Sequence, residues 1–132
     1  MYTKIVFVVI GVLIITGVFS FYFSKEQSIK LVGSNEFEKL IANPDVFVLQ
    51  VHTPYYAEIE GTDFIEEDWE NLDSYLSLLP KDKKEPIAVY CRSGRMSGIV
   101  AKELAERGYK NIYDLEGGMN AWVSSGRELI TK

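Results

Sequence analysis

Two short runs, VFVLQV from Val46 to Val51 and IAVY from Ile87 to Tyr90, are apolar at nearly every position. A strand with one wet face alternates apolar and polar side chains, so runs of this kind belong to strands covered on both faces, as in a parallel sheet packed between helices. The segments around them have helical spacing. Ser34 is placed to cap a helix through Phe37, Leu40 and Ile41 that Asn43-Pro44 stops. Glu66 to Leu79 sets Trp69, Leu72, Leu76 and Leu79 three and four apart before Pro80, and Ser97 to Arg107 repeats the pattern with Ile99, Val100 and Leu104 before Gly108. Ile29 to Val32 and Ile112 to Leu115 supply two more strands, and Gly117-Gly118 leads into a short helix around Ala121 and Trp122. The order predicts an α/β fold with a small, mostly parallel sheet flanked by helices.

The amino-terminal stretch is different in kind. From Ile5 to Phe23 there is no charge, with Lys4 before it and Lys25 and Glu26 after it. That length matches the roughly 20 apolar residues of a bilayer-spanning helix. A cleaved signal peptide would have a shorter apolar region ending in small residues, whereas this one ends Phe21-Tyr22-Phe23, in keeping with an aromatic belt at a membrane interface. Residues 1–28 are therefore expected to be a transmembrane anchor and short linker, and residues 29–132 a single domain, expected to face outward from the cytoplasm.

Past the anchor, residues 24–132 hold thirteen basic against nineteen acidic side chains, a formal charge of −6. An acidic domain lacks the clustered cations that displace counterions from nucleic acid, so no nucleic-acid partner is expected. One Cys and one His cannot make a zinc ligand set, and no metal or other cofactor is expected. Eight acids between Glu58 and Asp73, with no basic residue among them, read as a solvated helix face and loop.

The only cysteine stands in YCRSGRMSG, residues 90–98, at the end of a buried strand and ahead of a helix expected to begin near Ser97. In an open α/β sheet the crevice lies beyond the carboxyl ends of the strands, which puts Cys91 at its mouth. A compact loop containing Gly94 can turn N–H groups toward the sulfur. Those donors, the helix N-terminus, Arg92 and Arg95 together favour the thiolate, the reactive form. A lone cysteine is often only a small buried hydrophobe, but two flanking arginines are poor company for an inert thiol. Cys91 reads as a nucleophile whose loop can also hold an anionic group.

These residues, with LEGGMNAW from Leu115 to Trp122, resemble the rhodanese-like domains, whose active loop begins Cys-Arg-x-Gly. The resemblance spans about residues 29–132. It implies a sulfurtransferase in which Cys91 takes a sulfane sulfur, for example from thiosulfate, as a persulfide and passes it to cyanide, a thiol or a protein. It also implies that Arg92, Ser93, Gly94, Arg95, Met96 and Ser97 form the cradle, that Arg92 and Arg95 bind the small anionic donor, and that Gly117 and Gly118 support the site. Trp122 reads as a core anchor. One departure stands out. Many members carry Asp-x-Arg where this chain has Gln50-Val51-His52, so two charges become neutral polar groups, and His52 is either an acid–base group or a hydrogen-bonding residue at a strand end.

Two other classes compete. Phosphatases and arsenate reductases of related fold need an arginine six positions after the cysteine, where this chain has Ser97. A rhodanese fold can also serve as a tethered, non-catalytic docking module. For the transferase, no second thiol exists to discharge a persulfide as an internal disulfide, so the acceptor must be external and the cycle ping-pong.

Overall fold

The computed structural model describes residues 28–132, so the expected membrane segment lies outside the described residues. Among the described residues no helix is long and apolar enough to cross a membrane. Five strands, β1 (Ile29–Val32), β2 (Phe47–Gln50), β3 (Phe64–Ile65), β4 (Ile87–Tyr90) and β5 (Ile112–Leu115), form one sheet in the order β1-β5-β4-β2-β3. Every pairing is parallel. The continuous apolar runs have their predicted cause: β4 is buried at all four positions and sits in the middle of the sheet.

Helices cover both faces. On one lie α2 (Leu72–Tyr75) and α3 (Arg95–Glu106), where Leu72, Tyr75, Val100 and Leu104 pack on Leu49, Val89 and Ile112. On the other lie α1 (Ser34–Ile41) and α4 (Gly118–Ser124), where Phe37, Met119 and Trp122 pack on Val48, Ala88 and Tyr90. Phe37 sets its ring edge-on to both Tyr90 and Trp122, at centroid distances of 5.9 and 6.3 Å. The chain end returns across the molecule, with Glu58 and Ile130 exchanging backbone hydrogen bonds of 2.8 Å each way.

Three local expectations are corrected, and one short strand, β3, was not expected at all. Gly33, not Ser34, occupies the cap of α1, and no side chain caps that helix. The helix expected over Glu66 to Leu79 shrinks to α2 and a following 3-10 turn, Leu76–Leu78. Trp69, Leu72 and Leu79 are buried as their spacing predicted, but the acids ahead of them favour turns. The Glu66 carboxylate accepts from the Asp68 N–H at 2.7 Å, and Asn71 N–H closes onto Asp68 O at 3.0 Å, local bonds that compete with a helix. The two-residue β3 is too short to show a period. Finally, α3 begins at Arg95, two residues before the expected start, because Gly94 at φ +96° turns the chain directly into it.

Candidate active site

Cys91 follows the last residue of β4, the central strand, so its sulfur lies at the carboxyl-terminal edge of the sheet. Three residues, Arg92, Ser93 and Gly94, separate it from α3. The Gly94 N–H donates to Cys91 Sγ at 3.0 Å, and Cys91 Sγ donates to Ser97 Oγ at 3.5 Å. Ser97 Oγ in turn reaches Gly94 O at 3.4 Å, closing a small ring under the sulfur. Among the described residues one loop N–H reaches the sulfur, fewer than the sequence suggested, while the start of α3 adds the positive end of a twelve-residue helix. Cys91 is 1% exposed and Ser97 0%, so the thiol forms the floor of the loop and not its rim.

The loop is tied down from behind by α4. Met119 N–H donates to Cys91 O at 2.9 Å and Asn120 N–H to Arg92 O at 3.0 Å. Only a residue without a side chain allows that approach. A Cβ on Gly118, at φ +57°, would collide with the Cys91 carbonyl oxygen and lie 2.7 Å from the Arg92 carbonyl carbon and oxygen. Gly117, at φ +72°, stacks on Ala121 and lies beside Gly94. The GGMN segment is therefore a clamp on YCRSG, with Gly118 against the Cys91 and Arg92 carbonyls and Gly117 beside Gly94.

Arg92 and Arg95 are exposed, and neither forms an ion pair among the described residues. Each instead lies over an aromatic ring: Arg92 over Tyr56 at 5.5 Å and Arg95 over Trp69 at 6.0 Å. An aromatic face steadies a guanidinium without using its N–H donors, which stay available to an anion. Sequence reasoning did not connect Tyr56 and Trp69 with the loop: Tyr56 lies in irregular chain after β2, and the spacing of Trp69 marked it only as a core position. Met96 is partly buried against the α3-side core, and Ser93 Oγ accepts from the Arg95 N–H at 3.5 Å, so both shape the loop from its own side.

His52 packs edge-on against Tyr56 at 5.5 Å, which brings it to the Arg92 side of the mouth. Its pKa lies below the usual histidine value, first because of burial and second because of the Arg92 cation. Gln50 is fully buried on the opposite sheet face, donating from Nε2 to Ala57 O at 2.7 Å; it pins the loop after β2 and does not touch the sulfur. The acids of 58–73 are only partly a solvated face. Glu58 is buried and pairs with Lys132 at 3.0 Å, and Asp63 Oδ2 accepts from the Val48 N–H at 2.8 Å.

The sequence carries the signature of a family. The rhodanese-like domain profile matches residues 34–125. The chain is 46% identical over 41 residues to thiosulfate sulfurtransferase GlpE of Coxiella burnetii, a match covering 31% of this chain and 38% of that protein's length. It is 30% identical over 96 residues to a sulfurtransferase of Allochromatium vinosum, covering 70% of this chain and 86% of that one. A rhodanese-related protein from Thermoplasma volcanium superposes with a TM-score of 0.65 at 23% identity, over 78% of this chain and 99% of the other. With β4, the Cys91 loop and the glycine clamp in the expected order and contact, this chain belongs to the rhodanese-like domain family.

Proposed function

We propose that this protein is a membrane-anchored sulfurtransferase of the thiosulfate type. The observation that supports it most is the sulfur of Cys91 at the floor of a clamped loop, 3.0 Å from the Gly94 N–H, in a loop whose two exposed arginines have no ion-pair partner among the described residues. An anionic donor such as thiosulfate is drawn by Arg92 and Arg95. Cys91 Sγ attacks the outer, sulfane sulfur; the S–S bond of the donor breaks, and sulfite leaves with the bonding pair. The resulting Cys91 persulfide is an anion that the loop donor and helix terminus stabilise. Cyanide, a thiol or a protein thiolate then takes the outer sulfur, and Cys91 departs as thiolate for the next cycle. The relatives named sulfurtransferase support this chemistry.

Intact mass after thiosulfate treatment tests the reading. The native chain is expected to gain one sulfur and Cys91→Ser none; a native chain that gains nothing sinks the proposal. A second reading, a docking module without catalysis, is favoured by the 1% exposure of Cys91. Partner binding unchanged in Cys91→Ser, together with no sulfur uptake by the native chain, is its signature. The uncharged stretch of residues 5–23 supports a tether, with the domain outside the cytoplasm; protease added to intact cells or spheroplasts should then cut the domain.

A further inference from the structure

Between β2 and β3 the chain runs without regular structure and carries Tyr56, the ring over which Arg92 lies at 5.5 Å. Tyr56 is 43% exposed and makes no hydrogen bond of its own among the described residues, so its neighbours fix its place. They are held on both sides of it. Before it, Tyr55 Oη donates to Glu58 Oε2 at 3.0 Å and accepts from the Lys132 N–H at 3.0 Å. After it, Ala57 O accepts from Gln50 Nε2 at 2.7 Å, and Glu58 exchanges its backbone hydrogen bonds with Ile130. Lys132 Nζ closes the set on Glu58 Oε1 at 3.0 Å.

The centre of this arrangement is a charge out of water. Glu58 is 2% exposed, and a buried carboxylate is costly unless it is both paired and hydrogen-bonded. Tyr55 serves one of its oxygens and Lys132 the other. Losing either partner leaves the carboxylate short, so residues 55–58 have one arrangement to settle in. We propose that Tyr55, Glu58 and Lys132 form a lock that holds Tyr56 under Arg92 and thereby sets how well the cysteine loop receives an anionic reagent. The sulfur bonds to Gly94 and Ser97 and to none of these three, which are positioning residues. The inference rests on the sulfur-transfer reading for its natural substrate, but the lock needs only an anion approaching Cys91.

The path from lock to anion is short. An exposed arginine samples many rotamers, and a ring held against one face of its guanidinium narrows them while leaving the N–H donors to the anion. His52 meets the same ring edge-on at 5.5 Å, so Tyr56 sits between the histidine and Arg92. If the lock opens, Tyr56 shifts and Arg92 keeps its charge but loses its seat. Binding of an anion then weakens, whereas the reactivity of the thiol itself stays as it was.

Alkylation of Cys91 in the full chain, followed by mass at low salt, tests the lock without sulfur transfer. Iodoacetate is anionic and iodoacetamide neutral, so the ratio of their rates reports attraction of the anion and cancels changes in the thiol. Tyr55→Phe alters no charge and removes only the central hydroxyl; it should lower the ratio about twofold, and Lys132→Met about threefold, the factor that losing the ring itself would give. Lys132→Arg should restore the ratio, and KM for thiosulfate should rise by the same factors with kcat kept. The double variants decide the route. Added to Tyr56→Ala, neither lock variant should lower the ratio further, because the ring through which the lock acts is gone. A further fall there, or an unchanged ratio in both single variants, overturns the lock; a merely structural role slows both reagents together and leaves the ratio alone. Thiosulfate loading of the native chain separates the two ideas. A ratio that responds without sulfur uptake leaves the lock standing and ends the transferase reading; uptake with an unresponsive ratio does the reverse.

Discussion

Burial of Asp114 has an effect on folding that can be measured apart from any chemistry. Its carboxyl titrates near the ordinary 3.8 when unfolded and at about 6 when folded, so the folded state binds the proton more tightly. Below about pH 4 both states are protonated and nothing is lost; between about 4 and 6 the unfolded chain ionises first and stability falls; above 6 the loss is complete, at most about 3 kcal/mol. Asp114→Asn should therefore melt several degrees above the native protein at pH 7 and together with it near pH 3.5 in thermal denaturation followed by circular dichroism. Equal melting temperatures at pH 7 would show that the acid is better solvated than its surroundings imply. Tyr56 makes a separate prediction. Tyr56→Ala removes the ring under Arg92, worth about 0.5–1 kcal/mol, so KM for thiosulfate should rise about threefold with kcat nearly unchanged.

The cysteine loop and α4 behave as one element even though α3 and β5 separate them in sequence. Gly118→Ala would force a Cβ into the Cys91 and Arg92 carbonyls at a positive φ, with an expected loss of about 3 kcal/mol in urea unfolding and of most sulfur uptake. The Cys91 and Arg92 carbonyls would lose their donors in Met119 and Asn120, and hydrogen exchange at those two amides should report it directly. Much of this arrangement was legible beforehand. The buried runs placed β2 and β4, Gly108 marked the end of α3 and Gly117-Gly118 the start of α4, whereas the clamping contact between the glycine pair and the cysteine loop came only with the structure. What the sequence hid has a physical reason in each case. The apolar spacing from Trp69 to Leu79 was right about burial and wrong about helix, because acidic side chains bonding to nearby N–H groups compete with helical hydrogen bonds. Asp114 looked like any strand polar residue, since facing direction depends on which helix covers which side. The seats of the arginines depend on irregular backbone between β2 and β4, where no period exists to read.

Across the molecule, a parallel sheet gathers the ends of β4, β2 and β5 at one edge, so residues from distant parts of the chain meet there: His52, Tyr56, Cys91 and Gly117. The domain is acidic as a whole, −6 over residues 24–132, yet its two loop arginines have no ion-pair partner at that edge among the described residues. Attraction of a divalent anion to two exposed cations is screened by salt, so kcat/KM for thiosulfate should fall severalfold between 0.01 and 0.15 M ionic strength, with the Debye length shrinking from about 30 to 8 Å. No change would mean that the arginines do not greet the donor. The recessed sulfur also decides what an acceptor meets. Two copies cannot bring their thiols to the roughly 2 Å of a disulfide, so mild oxidant should leave a monomer on a non-reducing gel. Loading extends the side chain by one S–S bond length, about 2 Å, toward the opening. The cargo atom is then the one within a visitor's grasp, and the carrier beneath it stays out of reach until the cargo has gone.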